Sequence, residues 1–205
     1  MPLYALGNLV PQVHPTAFIH PEATIIGQVT LGAGVTIWPA VVLRGDYGAI
    51  EIGNDVAVQD GTVVHGNVAQ ATTVASGCII GHLAHIEGCT IGEECLIGSG
   101  SVVMAGARVG PRAVVGAGAV VRRGTQVPEG AVALGVPARI REGARRPAAL
   151  EAFKAAVRRH AQLGERYRQE LRLIEAHPHP ATTLHISDVP SAADPPGRSN
   201  PARRS

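Results

Sequence analysis

Large aromatic side chains are scarce in this chain of 205 residues, which contains two Phe, three Tyr and one Trp. Most globular sandwiches and doubly wound folds fill their cores with more rings than this. Glycine is abundant, at 25 residues, and Val, Ile, Leu and Ala recur throughout the sequence. The composition therefore indicates a narrow, repetitive interior.

Strong net charge and long apolar runs are also missing. The formal charge is +2, which is too small for the basic surface that nucleic-acid binding requires. No stretch approaches the roughly 18 consecutive apolar residues of a membrane span. The first residues show no basic segment followed by a long apolar run. We therefore predict a cytoplasmic protein whose partners include neither nucleic acid nor membrane.

Cysteine is rare as well, with Cys78, Cys89 and Cys95 as the three examples. Their odd number and the lack of Cys-x-x-Cys spacing favour small, reduced core residues. A zinc–thiolate site is the alternative that this spacing disfavours.

An internal six-residue repeat dominates the first two thirds of the chain. A helix of 3.6 residues per turn cannot keep positions six apart on one face, whereas short strands with a corner every six residues can. Three such strands would close one triangular coil, and stacked coils would bury a continuous aliphatic column. The pattern predicts an all-β solenoid, a parallel β-helix, over residues 1–142. The repeated aliphatic positions are Ile19, Ile25, Leu31, Ile37, Leu43, Ile52, Val58, Val64, Ile91, Ile97, Val103, Val109, Val115, Val121 and Val127.

A different period begins at Pro147. Apolar residues then recur at alternating three- and four-residue steps from Leu150 to Ile174, which predicts a C-terminal amphipathic α-helix over residues 147–176. The apolar stripe of this helix must pack against the triangular prism that the stacked coils form, in its own or a neighbouring subunit. Residues 177–205 contain Pro, Ser and Arg without any period, and we expect a disordered tail there.

Histidine and glutamate cluster where the repeat is interrupted. His65 directly follows an inward valine, so it should project outward, and His82 follows within about one coil. His85 and Glu87 lie a few residues further on. A lone outward histidine could simply meet solvent or another subunit, but this group of side chains predicts a metal site.

These motifs resemble the γ-class carbonic anhydrase family over about residues 10–142. The resemblance implies a left-handed coil, which the spacing alone does not give because crossovers between parallel strands are usually right-handed. It also implies a homotrimer. The matching segments are Arg44-Gly45-Asp46, Gln59-Asp60, His65, Gly81-His82 and Gly88-Cys89-Thr90-Ile91-Gly92.

In that family three histidines bind Zn²⁺ or Fe²⁺ between subunits, and the site hydrates CO₂ to bicarbonate. The resemblance assigns His65 as the first ligand and His82 as the ligand contributed across the interface. Gln59 matches the residue that orients the metal-bound solvent. The residues that match interface ion pairs are Arg44, Asp46 and Asp60.

Glu87 stands where the family usually has its third histidine. In the first of two interpretations, Glu87 completes a set of two imidazoles and one carboxylate, which can hold zinc or non-haem iron. Alternatively, the metal site is weakened or lost and the protein is a binding or structural relative. His85 could replace Glu87 as a ligand, but its three-residue offset from His82 should turn it to the other face of the strand.

The positions that carry proton-transfer groups in the family also differ. Tyr47 follows Asp46 and Val68 lies beyond His65, so the usual glutamates are not evident. The tyrosine that many members place over the site on the C-terminal helix looks like His160 here, seven residues before Tyr167. We predict that His160 moves a proton near neutral pH, with a buried packing contact as the alternative.

Two functions remain open from the sequence. The first is metal-dependent hydration of CO₂, with His65, His82 and Glu87 as ligands. The alternative is a non-catalytic protein, or one that handles CoA thioesters or acyl groups, with a degenerate metal site. The segment Leu134-Gly135-Val136-Pro137-Ala138-Arg139 is shared with hexapeptide acyltransferases, but no long loop carrying a histidine interrupts the coils after residue 91.

Overall fold

The computed structural model describes residues 3–143 and 147–174, which form short strands and one C-terminal helix. Each coil has three sides, and each side is about one six-residue repeat long. The strands of successive coils pair in parallel. The predicted parallel β-helix with a C-terminal helix is therefore confirmed. The strands are β1 Leu3–Tyr4, β2 Gln12–Val13, β3 Phe18–Ile19, β4 Thr24–Leu31, β5 Thr36–Ile37, β6 Val42–Ile52, β7 Ala57–Val58, β8 Val63–His65, β9 Thr72–Val74, β10 Ile79–Ile80, β11 His85–Glu87, β12 Thr90–Ile91, β13 Leu96–Ile97, β14 Val102–Val103, β15 Arg108–Val109, β16 Val114–Val115, β17 Val120–Val121, β18 Gln126–Val127, β19 Val132–Leu134 and β20 Arg139–Arg141, and the helix is α1 Pro147–Glu170.

Three faces arise from this stacking. The first face contains the beginnings of β4 and β6, followed by β8, β11, β14 and β17. The second face contains the ends of β4 and β6, followed by β9, β12, β15 and β18. The third face runs from β3 through β5, β7, β10, β13 and β16 to β19. The long strands β4 and β6 thus turn the corner between the first and second faces.

The inward residues of the repeat form one continuous aliphatic core. Ile25, Leu43, Val64 and Ile97, from different coils, are completely buried. Burial of each such side chain stabilises the fold by about 1.5–3 kcal/mol. The three cysteines are buried in the core, as predicted, and burial raises the pKa of the Cys89 thiol to about 12.

Helix α1 packs on the third face. Phe153 and Val157 are buried against Ala57 and Ile79. Near the other end of the helix, the ring of Tyr167 lies 5.1 Å from Trp38 and 5.9 Å from Phe18, measured between centroids. No helix within residues 3–143 and 147–174 combines the length and apolar character that a bilayer crossing requires.

The helix ends earlier than the sequence predicted. It stops at Glu170 rather than at residue 176, and Leu171–Ile174 continue without helical structure. Ile174, the last residue of the predicted stripe, is exposed. The tail predicted for residues 177–205 lies outside the described residues.

The far end of the prism is closed by a reversal of the chain. After β19, the segment around Pro137 turns back, and β20 pairs antiparallel with β19. This ends the parallel stacking at Arg141, close to the predicted boundary at residue 142.

Gly164 sets the distance between α1 and the third face. A Cβ atom at this position would lie 2.6 Å from Thr36 Cγ2 and 3.1 Å from Phe18 Cβ. We expect Gly164→Val to destabilise the protein by about 1–3 kcal/mol through overpacking, although valine is intrinsically the better helix former. Thermal unfolding followed by Trp38 fluorescence measures the effect. Ala152→Val, on an exposed helical position, is the matched control, and equal effects of both changes would contradict this account.

Candidate functional site

Outward side chains from successive coils line up on the first face. Arg44, His65 and Glu87 are direct register partners on β6, β8 and β11. Neighbouring strands are about 4.8 Å apart, so these three side chains lie next to one another. Each follows a completely buried aliphatic residue, which confirms that His65 projects outward.

Asp46 connects two members of this ladder. Its Oδ1 lies 2.8 Å from His65 Nε2, and its Oδ2 pairs with Arg44 Nη1. The backbone N–H of Tyr47 also donates to Oδ1, at 2.9 Å. Burial alone would raise the pKa of Asp46, but the bonds from His65, Arg44 and Tyr47 outweigh it and lower that pKa from 3.8 to about 2. Since the carboxylate is ionised, His65 donates to it through Nε2, and in this tautomer the lone pair lies on Nδ1.

Glu87 is held by a residue that the sequence did not reveal. Asn67 Nδ2 donates to Glu87 Oε1 at 2.8 Å. This hydrogen bond is the main cause of a lowered Glu87 pKa; burial opposes it, and the nearby charges of His65 and His85 reinforce it. Glu87 is therefore a carboxylate. We refer to Asp46, His65, Asn67 and Glu87 as the strand cluster.

His85 does not lie where the sequence predicted. It shares the outward face of β11 with Glu87, and His85 Nε2 lies 3.6 Å from Glu87 Oε2. The expectation of opposite faces counted strand alternation from His82, which lies before the strand at a corner. Alternation applies within the strand, where His85 and Glu87 are two residues apart and so point the same way.

His82 belongs to the corner between the third and first faces. It follows β10, and its Nδ1 lies 3.0 Å from Asp60 Oδ2 of the preceding coil. Both side chains are about half exposed. The predicted ion-pair residues thus find partners within one chain, Arg44 with Asp46 and Asp60 with His82.

Gln59 and His160 meet beside this corner. Gln59 Nε2 lies 3.0 Å from His160 Nε2, although 101 positions separate them in the sequence. Burial lowers the pKa of His160, and the charges of Arg159 and His82 lower it further. The neutral ring therefore accepts from the Gln59 amide at Nε2. Its Nδ1 is buried and has no hydrogen-bond partner among the described residues. We call Gln59, Asp60, His82 and His160 the corner cluster.

The two clusters lie at opposite edges of the first face. Asp60 lies at a corner five residues before His65 along the same coil, so their Cα atoms are at most roughly 17 Å apart. In agreement, no group of three His, Cys, Asp or Glu side chains that could hold a metal is found within the described part of one chain. One chain brings His65 and Glu87 together and leaves His82 apart from them.

A shallow cavity adjoins the corner cluster. Its volume is about 340 Å³, and it extends along the third face over three coils. The lining residues are Gln59, Ile79, Gly81, His82, Leu96, Ile97, Gly98, Ser99, Val114, Val115, Gly116 and Ala117. An apolar floor with polar groups at one end is typical of a small-molecule site.

Comparison with known proteins agrees with the fold. The family model described as "Bacterial transferase hexapeptide (six repeats)" matches residues 71–105 and 88–123. The carnitine operon protein CaiE of Escherichia coli K12 is 47% identical over 106 residues, 52% of this chain and 54% of that protein. The chain therefore spans about half the length of the curated relatives it matches.

Two solved structures extend the similarity over most of the chain. A hexapeptide transferase family protein from Anaplasma phagocytophilum has a TM-score of 0.76 at 32% identity, covering 81% of this chain and 98% of its own. A Bacillus cereus protein, solved as a candidate acetyltransferase, has a TM-score of 0.79 at 29% identity. The match covers 82% of this chain and 96% of that protein.

These matches and the stacked coils define a left-handed β-helix of hexapeptide repeats. The chain belongs to the hexapeptide transferase family. Neither the family model, nor CaiE, nor either solved structure is described as a carbonic anhydrase. The resemblance to that family therefore stays a hypothesis.

The depressed pKa of Asp46 makes its contribution to stability depend on pH. The stabilisation is fully present above the unfolded pKa near 4 and is lost as pH falls through about 2. We expect Asp46→Asn to cost roughly 1–2 kcal/mol near neutral pH, and the difference from wild type to close near pH 2. Urea unfolding at both pH values measures it, with the exposed Glu22→Gln as control. A difference that persists undiminished near pH 2 would refute the assignment.

Proposed function

We propose that this protein is an acyl-thioester-handling enzyme whose active site is completed by a second copy of the chain. The observation that carries the proposal is the hydrogen bond between His65 Nε2 and Asp46 Oδ1, 2.8 Å long. A carboxylate that fixes an imidazole in one tautomer is the arrangement that general-base catalysis uses. Membership of the hexapeptide transferase family supports an acyl group as the part of the substrate that is transferred or hydrolysed.

The strand cluster supplies the chemistry of the reaction. Asp46 stays ionised and keeps Nδ1 of His65 free to accept a proton from water or from an acceptor nucleophile. The activated oxygen or nitrogen attacks the thioester carbonyl, the carbon–sulfur bond breaks, and the departing thiolate takes up the proton that His65 received. With water as the nucleophile, the products are a carboxylic acid and a free thiol.

An apolar stripe on the first face supports association of the chains. Val42 and Val63 are in register on its outward side, as are Val102 and Val120, and His85 lies between the two pairs. All four valines are only partly buried. A homotrimer would cover this stripe, since a prism has the shape that a threefold axis can pack. The corner cluster of one copy would then face the strand cluster of the next.

The corner cluster would complete the site from the second copy. Asp60 orients His82 through Nδ1, which leaves the lone pair on Nε2 of His82 free to accept a hydrogen bond from the attacking water or acceptor nucleophile and so to orient it. The adjoining cavity has room for the arm that carries the thioester. His160 fixes the amide of Gln59 at the mouth of that cavity.

Metal-dependent hydration of CO₂ is the second candidate, favoured by the register pairing of His65 with Glu87. One imidazole and one carboxylate from the strand cluster, with His82 of a second copy, fit the donor set of Zn²⁺ or Fe²⁺. When bound there, the ion would supply hydroxide at neutral pH. Gln59 would position solvent, and His160 would accept the released proton at Nε2 in exchange for the hydrogen bond that it accepts there from Gln59.

Loss of the general base should abolish thioester turnover. We expect His65→Gln to lower kcat/KM for acyl-CoA hydrolysis by about 10²–10⁴-fold, and Asp46→Asn to lower it less because the imidazole remains. Release of free thiol, followed colorimetrically with acetyl-, butyryl- and hexanoyl-CoA, is the measurement. His14→Gln, an exposed histidine in the first coil, is the control. Full activity in the His65 variant would rule the mechanism out.

Metal content separates the two candidates. Thioester turnover should survive chelation, whereas hydration of CO₂ should disappear with it. If the metal site is functional, Glu87→His should raise or maintain bound zinc and Glu87→Ala should lower it, as measured by elemental analysis of the purified protein. A fully metallated protein without hydration above background would eliminate the second candidate.

A further inference from the structure

We propose that Tyr47 and Val68 form an apolar rim over the strand cluster and select thioesters whose acyl group is uncharged and apolar. This inference rests on the proposed acyl-thioester function and names its substrate class. We call these two side chains the rim.

Tyr47 stands directly beside the imidazole that the mechanism uses. Its ring centroid lies 5.9 Å from that of His65, with the planes tilted by 56°. Nevertheless 66% of Tyr47 is exposed, because one side of its ring contacts His65 and the rest faces solvent. A group bound at His65 Nδ1 would therefore lie within reach of the ring.

Val68 lies on the neighbouring turn. This turn is closed by hydrogen bonds between the backbones of Asn67 and Gln70, and Val68 at its tip is 79% exposed. The Asn67 side chain bonds to Glu87, so the turn is attached to the strand cluster. Val68 is thus held next to the cluster by its neighbour in the sequence.

The two loops are in direct backbone contact. A Cβ atom at Gly48 would lie 2.2 Å from the carbonyl oxygen of Asn67, and one at Gly66 would lie 1.7 Å from that of Gly48. Only glycine permits this approach, which fixes the segments carrying Tyr47 and Val68 against each other. The rim is therefore a positioned feature, and its two members flank the point of contact.

The composition of the rim identifies the ligand chemistry. Single exposed apolar side chains are ordinary, but here two flank a polar cluster, which is the make-up of a small-molecule site. The two loops, residues 47–49 and 66–70, contain no charged side chain. The rim itself therefore offers neither a cation for a carboxylated acyl group nor an anion for an amino-acyl group, and the neighbouring Arg44 and Glu87 are already paired with Asp46 and Asn67. A short acetyl group would meet the polar floor, and a longer chain would also cover Tyr47 and Val68.

The length of the acyl chain in the substrate is the variable that tests the rim. Each methylene that the rim removes from water should raise kcat/KM by about fourfold. We expect hexanoyl-CoA to exceed acetyl-CoA by at least tenfold and succinyl-CoA to fall below butyryl-CoA. In Tyr47→Ser with Val68→Ser, the hexanoyl-to-acetyl ratio should drop at least tenfold. Tyr47→Phe should retain the ratio, because it keeps the apolar ring.

Val10→Ser is the matched control, since Val10 is also an exposed valine, at 59%, but in the first coil. An unchanged ratio in the double variant would overturn the rim. So would a shift of the double variant to a smaller assembly in light scattering, because the side chains would then serve subunit contacts. The single Val68→Ser variant should lower the ratio severalfold, and it provides the answer if the double variant fails to fold.

A binding measurement distinguishes failure of this inference from failure of the proposed function. Hexyl-CoA and ethyl-CoA thioethers cannot be hydrolysed, and calorimetry gives their affinities for wild type and variants. Tighter binding of the hexyl compound that is lost in the double variant supports the rim, even if no thioester is turned over. Absence of turnover alone counts against the proposed function. Equal affinity for both thioethers, or none for either, overturns the rim.

Discussion

Coil-to-coil register is the constraint on which the rest of the structure depends. The inward aliphatic residues stack in one column, so each outward residue has a fixed partner one coil away. A slip of a single residue would turn every inward side chain to solvent, so the core defines the register strictly. The insertions near Tyr47 and Asn67 leave the column intact because they lie at the corner between the first and second faces. The same register that buries valines therefore places Arg44, His65 and Glu87 side by side.

This register also explains why the chemistry is divided between two edges. Asp46 and His65 lie where the first face meets the second, and His82 lies where it meets the third. Each histidine has its own carboxylate, so each arrives with one nitrogen committed and the other free. Neither cluster alone contains a complete site for thioester chemistry or for a metal. Both candidate functions consequently require a second copy, and the partly exposed valines between the clusters give that copy a surface to cover.

Much of the fold follows from the sequence, and the site follows in part. The six-residue period predicted the stacked coils and the outward direction of His65, because alternation about a buried valine leaves no other choice. The family resemblance assigned Gln59 and His160 to one site; the two side chains are 3.0 Å apart, and their roles there stay a prediction. The predicted orientation of His85 was wrong because a corner separates His85 from His82, and the sequence does not specify the path of that corner. Asn67 was missed since its partner Glu87 lies 20 positions away and is reached through register alone.

Mixing of two inactive variants tests the shared site most directly. His65→Gln and His82→Gln should each be inactive toward acyl-CoA as pure proteins. Co-expressed in equal amounts, they should recover about a quarter of wild-type activity, because one interface in four then joins an intact His65 to an intact His82. The same restoration should appear in whichever of the two reactions the protein performs. If the mixture stays as inactive as its components, the two histidines do not act together across copies and the account is contradicted.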